Sequence, residues 1–327
     1  MSRRRTPVIV VAPNAFKETF SPLRAARLIA RGLSRSLRAR LVLVPVADGG
    51  DGTLEALRAR LGGRLARVRV TGPLGKPVLA RYLRAGRTAV IEMAEASGLK
   101  LVPPGRRDPM RSTTRGTGEL IVHAWRHGAR SILVGVGGSA TVDGGAGALE
   151  VLTPRIVRHV TVLCDVDNPL LGPRGAAPVF GPQKGATPAM VRRLRERLSR
   201  WARELKARTG ADVRRMRGAG AAGGLAAGLA AYGARLVRGA DFILRAAGFP
   251  RPCDYVVTGE GRIDRTSLGG KAVGAVLRAS PAPVALVCGR CDLRRRAFET
   301  RDRSARALVE AAERAGRAIQ ARLGGRR

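Results

Sequence analysis

Five segments of this 327-residue chain gather the residue types that handle phosphate: Ala12 to Lys17, Asp48 to Thr53, Gly135 to Gly147, Asp165 to Asn168, and Thr258 to Asp264. The third, GVGGSATVDGGAG, sets Ser139, Thr141 and Asp143 among glycines that include Gly137 and Gly138. Glycine loses the most conformational freedom on folding, so such a cluster marks backbone that approaches something closely or turns through positive φ. Backbone N–H groups in a loop that opens a helix attract phosphate oxygens. The bland alternative is a tight turn of small residues packed against a helix.

The scarce polar residues point the same way. Only six of the 61 basic residues are lysines. In a chain that uses arginine wherever a positive charge suffices, a lysine marks a place for a compact ammonium instead of a planar fork. Lys17, Lys184 and Lys271 sit in Gly- or Pro-rich stretches, and the two asparagines, Asn14 and Asn168, lie at strand ends. Carboxylates suit Mg²⁺, which is held by one or two of them plus substrate phosphates. Ammonium groups neutralise charge on a transferred phosphoryl group. The combination is equipment for phosphoryl transfer. No GxxxxGK[ST] loop and no protein-kinase signature set occurs, so the scaffold is of another kind. The stretch Gly218 to Gly223 satisfies GxGxxG, with Asp241 at a distance suited to a ribose. No apolar strand precedes it, which favours a close-packed Gly/Ala helix start over a dinucleotide site.

Elements that position these loops can be read from periodicity. PVIVVAP (7–13) reads as a strand, and SPLRAARLIARGLSRSL (21–37) as a helix capped by Ser21 with Pro22 in its first turn. The stretch from 39 to 62 repeats strand, Gly/Asp loop and helix. RLARVRVTGP, PVLARYLRA and TAVIEMA then read as short antiparallel strands. The glycine loop at 135–147 follows the apolar run RSILVGV, and DVDN closes another strand. CDYVVTGEGRID, GGKAVGAVLRAS and APVALVCGR read as strand, helix and strand. Ligands in open α/β sheets bind beyond the carboxyl ends of strands, which is where all five loops fall.

A chain this long divides more readily into two domains than it builds one core. Apolar content of 45% with only 3% aromatics implies an aliphatic α/β interior. No stretch reaches the ~18 apolar residues of a membrane span, and Pro13 and Asn14 interrupt the first apolar run, so a soluble, cytoplasmic protein is expected. The four cysteines, including Cys288 and Cys291 of a single CxxC, read as reduced thiols and form no disulfide framework. A net charge of +37 raises nucleic acid as a partner, but the arginines spread from end to end and stacking aromatics are few. Specific nucleic-acid binding is not expected; salt-sensitive adhesion to polyanions is.

The stretches APNAFKETFSP, PVADGGDGT, EMAEASGL, TTRGTGELI, GVGGSATVDGGAGAL, CDVDNPLLG, FGPQKGA, GAGAAGGL and VTGEGRIDRTSLGGKA occur in one order over residues 8 to 289. In that set and order the chain resembles the bacterial glycerate kinase family of the type that phosphorylates D-glycerate with ATP. The resemblance implies an α/β fold of two domains, with the active site in the cleft between them. One would be Rossmann- or flavodoxin-like with a mainly parallel sheet, from residues 1–65 and 245–327, and the other a separate mixed α/β domain, from 66–244. It implies MgATP and D-glycerate as small-molecule substrates, with 2-phosphoglycerate favoured over 3-phosphoglycerate as product. It leaves the oligomeric state open.

On the positions matching the family's motifs, Asp165 or Asp167 would orient or deprotonate the accepting hydroxyl. Lys17 and Lys184 would stabilise phosphate charge, and Asp48, Glu260 and Asp264 would serve the metal. Gly137, Gly138, Ser139, Thr141, Asp143, Asn168, Arg262 and Lys271 would bind substrate and phosphates, Arg262 through the glycerate carboxylate. Val142 stands where the family usually has asparagine, and the segments at 150–160 and after 289 are short. Those departures support one rival, a kinase-derived protein that binds nucleotide or hydroxy acid with impaired catalysis. The charge alone supports another, a nucleic-acid binder.

Overall fold

The computed structural model describes residues 5–16, 19–269 and 271–324. Among them run thirteen strands: β1 (Val8–Val11), β2 (Arg40–Leu43), β3 (Arg64–Thr71), β4 (Pro77–Ala85), β5 (Thr88–Glu92), β6 (Ser131–Gly135), β7 (Val160–Leu163), β8 (Arg235–Val237), β9 (Tyr255–Thr258), β10 (Arg262–Ile263), β11 (Val284–Cys288), β12 (Arg290–Cys291) and β13 (Ala297–Glu299). The chain divides into two compact units. One holds residues 1–48, 55–60 and 240–327, and the other 49–54 and 61–239.

The first unit is built on an all-parallel sheet in the order β13-β11-β9-β1-β2. Its central strands VIVV and YVVT are buried along their whole length, which is why they read as unbroken apolar runs instead of alternating ones. The helix Pro22–Leu33 starts where the sequence places it, with the Ser21 hydroxyl accepting from Arg24 N and Pro22 in the first turn. Its apolar stripe, with Ile29 and Leu33, meets Leu308, Ala311, Ala312 and Ala315 of the helix Ala305–Gly324 in one core. A side chain on Gly32 would strike the Val309 carbonyl, so glycine sets how close the two helices come.

The second unit carries a six-stranded mixed sheet in the order β3-β4-β5-β6-β7-β8. β3, β4 and β5 pair antiparallel, as their alternating pattern anticipates, and β5 to β8 pair parallel. The α/β class with one parallel and one mixed sheet therefore agrees with expectation. The short segment at 150–160 forms the turn of helix Pro154–Val157 and leads into β7, which pairs along its whole length with β6 and over Thr161–Leu163 with β8. Val142 is buried in a cluster with Leu170, Leu194 and Leu198. Among the described residues, no helix is long and apolar enough to cross a membrane.

Candidate active site

In the second unit, the carboxyl ends of β5, β6 and β7 each open into a polar loop. The loop after β6 is fixed by Asp143, only 4% exposed. Asp143 Oδ2 accepts from Thr114 N at 2.8 Å, from Thr114 Oγ1 at 2.7 Å and from Gly147 N at 3.3 Å, while Oδ1 accepts from Gly145 N at 3.1 Å. A buried carboxylate needs such saturation to offset its desolvation. Its bonds to the loop's own amides and to Thr114 make it the pin of the loop.

Lys184 is the most unusual group here. It ends the short turn Pro182–Lys184, is 2% exposed, and donates to Ser139 Oγ and to the Thr141 carbonyl, both at 2.7 Å. Burial pushes its ammonium down to about 7, while the Asp143 charge works in the opposite direction. The structure thus brings Ser139, Thr141 and Lys184 together through hydrogen bonds, with the charge of Asp143 acting on the same ammonium.

The GxGxxG stretch accounts for the loop's other side. Ala222 and Gly223 both adopt left-handed backbone, at φ 53° and 64°. A side chain on Gly223 would collide with the Thr141 carbonyl. Gly144 N donates to the Gly223 carbonyl at 3.0 Å, and Thr141 Oγ1 to the Ala222 carbonyl at 3.4 Å. The stretch opens the helix Leu225–Ala231 as a close-packed support for the glycine loop after β6.

Beyond β7 the three candidates have different surroundings. Asp167 is held by Arg217 at 2.6 and 2.7 Å and by Arg238 at 3.3 Å. The Arg217 guanidinium chiefly keeps its carboxyl below the usual range, which weakens it as a base. Asn168 donates to the Arg174 carbonyl at 2.8 Å, a loop-shaping bond. Asp165 is half-buried beside them.

Two acids that sequence reasoning left unassigned stand at the end of β5. Glu92 and Glu95 are 4% and 8% exposed. Glu95 takes the Lys100 ammonium at 2.8 Å and Arg81 Nε at 3.1 Å, and Lys100 also reaches Asp51 at 3.5 Å. Burial pushes Glu92 up to about 7, helped by the Asp51 and Glu95 charges and opposed by the Leu54 N–H and Lys100. Two acids three residues apart after an apolar strand, in EMAEASGL, were the available signal.

In the first unit, Lys17 lies outside the described residues. Asn14, 4% exposed, donates its backbone N–H to the Gly259 carbonyl at 2.9 Å and so joins the loops after β1 and β9. Glu260 is 6% exposed, and the backbone N–H of Gly289 donates to its carbonyl at 3.3 Å. Asp48 is half-buried. Three other candidates are engaged locally. Arg262 pairs with Asp292 at 2.6 Å. Asp264 Oδ1 accepts from Thr266 N, Ser267 N and Thr266 Oγ1 as the cap of helix Arg265–Leu268. Lys271 donates to Thr266 Oγ1 at 2.7 Å. The thiol of Cys288 is buried and pushed well above its ordinary value, which suits a reduced thiol. Among the described residues no cluster of three or more His, Cys, Asp or Glu is arranged to hold a metal.

A sequence profile of the glycerate kinase family matches residues 9–159 and 153–322. Glycerate kinase from Bacillus subtilis (strain 168) is 44% identical over 310 residues, covering 83% of this chain and 81% of the relative. Glycerate 2-kinase from Escherichia coli (strain K12) is 42% identical over 322 residues, covering 86% and 84%. A crystal structure of a protein assigned as glycerate kinase 2, from Salmonella typhimurium LT2, superposes with a TM-score of 0.80 at 36% identity over 98% of both chains.

Proposed function

This chain belongs to the glycerate kinase family, and from that membership we infer that it transfers the γ-phosphoryl group of ATP to D-glycerate, giving ADP and 2-phosphoglycerate. The observation that carries the reaction class is the buried ammonium of Lys184, bonded to Ser139 and to the backbone of Thr141 inside a glycine loop at the carboxyl end of β6. A preorganised cation in a dry site stabilises charge on a phosphoryl group far better than one in water. Its lowered basicity favours the same reading, because an incoming phosphate restores the proton that burial disfavours.

The remaining roles combine the family's motif positions with local chemistry. Gly138, Ser139 and Thr141 cradle phosphate oxygens, Gly137, whose N–H is taken by the Gly49 carbonyl, lets the neighbouring loop approach, and Asp143 holds the loop that presents them. Asp165 is the group assigned to orient or deprotonate the glycerate hydroxyl, since Asp167 is neutralised by two guanidinium groups. Magnesium enters as part of the MgATP substrate. It needs only one or two protein carboxylates besides phosphates, so the lack of a three-ligand cluster among the described residues is compatible with it. Glu260, a carboxylate at the end of β9, and Asp48 fit that donor chemistry better than Asp264, whose Oδ1 is taken up as a helix cap. Lys17 shares the phosphate charge, and Lys271 and Asn168 support the loops that carry these groups. Arg262 has to exchange its Asp292 partner for the substrate carboxylate. ADP release by the purified protein with MgATP, with D-glycerate or with lactate, tests the reading. Release that depends on D-glycerate supports it, and release indifferent to the acid refutes it.

A further inference from the structure

The loop Gly49–Thr53 follows β2 in sequence but is packed wholly within the second unit. At one end Gly137 N donates to the Gly49 carbonyl at 3.0 Å, and side chains on Gly49 or Gly137 would collide with the Leu163 carbonyl and with Gly50. Gly49 and Gly52 adopt left-handed backbone, at φ 82° and 94°. The loop's backbone is thereby laid directly on the start of the glycine loop that carries Ser139 and Thr141.

Its other end is held by one buried side chain. Glu92 Oε1 accepts from Leu54 N at 2.8 Å. Leu54 is the second residue of the helix Thr53–Leu61, where the first-turn amides have no partner within the helix. The loop's own polar atoms leave that amide to Glu92, because the Thr53 hydroxyl is turned back to the Gly50 carbonyl at 2.7 Å. Charged groups around Glu92 come from each side: Asp51 from the loop, and Glu95 and Lys100 from the segment after β5, with Arg81 of β4 on Glu95. A buried carboxylate among acids is costly, and an aliphatic chain of similar size fills the same volume without that cost.

We propose that Glu92 is a positioning residue for phosphoryl transfer: it tethers the first turn after the Gly49–Thr53 loop and so keeps that loop seated on the Gly137–Asp143 phosphate loop. Lys100, bridging Glu95 and Asp51, is the outer strap of the same seat. The inference rests on the kinase reading for its consequence in turnover, but the tether itself is a property of the fold and is measured separately.

Hydrogen exchange followed by mass spectrometry, together with steady-state kinetics, tests it on the full chain. In Glu92→Ala, amides of residues 49–54 exchange at least tenfold faster while those of β5, β6 and β7 keep their protection. The value of kcat for D-glycerate falls tenfold or more, and KM for ATP changes less than threefold. Glu92→Gln retains an oxygen for Leu54 N, so protection and kcat return to within threefold of wild type. Unchanged exchange at 49–54 in folded Glu92→Ala overturns the tether, whether or not the wild type phosphorylates glycerate. Faster exchange with undiminished kcat in an active enzyme overturns the positioning role, and so does a folded Glu92→Gln as impaired as Glu92→Ala. A wild type inactive toward glycerate refutes the kinase reading, while the exchange data still decide the tether.

Discussion

The ammonium nitrogen of Lys184 lies 2.7 Å from the hydroxyl oxygen of Ser139, 45 residues earlier in the chain, and both residues are buried. Removing the charge while keeping the volume, in Lys184→Met, is expected to lower kcat by roughly 100-fold or more, in the range of losing one preorganised stabiliser of transition-state charge. Lys184→Arg is expected to recover little, because a planar fork cannot donate to both Ser139 Oγ and the Thr141 carbonyl from one point. Steady-state ADP release reads both variants. Arginine restoring activity to within threefold contradicts the role of a compact ammonium.

The two aspartates after β7 are expected to separate. Asp165→Asn lowers kcat by at least roughly 100-fold, the scale of general acid–base assistance, with little change in melting temperature. Asp167→Asn loses a pairing to Arg217 and Arg238 at a partly exposed site, so its effect falls on the order of 1 kcal/mol of stability and less than tenfold in kcat. Kinetics on both, with thermal melts, decide the matter; the reverse ranking assigns the base to Asp167.

Gly223→Ala is expected to destabilise the protein by roughly 2 kcal/mol or more, through left-handed backbone and collision with the Thr141 carbonyl together. Urea unfolding measures it. A change under about 0.5 kcal/mol, the usual size at an unconstrained site, contradicts the packing described.

The raised Glu92 carboxyl makes stability depend on pH with a definite sign. Its value is about 7 in the folded chain and 4.5 when unperturbed. Between those two values the native state binds the extra proton, so this group's contribution falls as pH rises through the window and its full cost is present above it. Glu92→Gln removes the titration. Its stability relative to wild type should therefore improve from about pH 5 to about pH 7.5 in urea titrations. A constant difference across that range contradicts the assignment. Lys184, lowered to about 7, adds a rising slope near and above that value, but it is present in both proteins and cancels in their difference.

Local signals in the sequence were enough to place the loops. Ser21 and Pro22 announce the first helix, unbroken VIVV and YVVT runs announce parallel strands, and the alternation through 64–92 announces antiparallel pairing. Partners far along the chain were not visible. Asp167 looks like a free carboxylate until Arg217 and Arg238 arrive from 50 and 71 residues away. The Gly218–Gly223 stretch resembles a nucleotide motif until the Thr141 carbonyl is found against Gly223. Glu92 looks like a polar strand end because only the fold turns it onto Leu54. The helix Ala305–Gly324 is hidden by arginines on its solvent face, since half of its buried residues are alanine and one is glycine, which gives a weak apolar signal.

Phosphoryl transfer to D-glycerate is tested most directly by phosphorus NMR of the product formed by the purified protein from MgATP and D-glycerate. The expected result is stoichiometric ADP and a phosphomonoester doublet, coupled to the single C2 proton of 2-phosphoglycerate. A triplet from the two C3 protons of 3-phosphoglycerate would contradict the regiochemistry, and no phosphomonoester from a folded, ATP-binding protein would rule out glycerate phosphorylation by this chain.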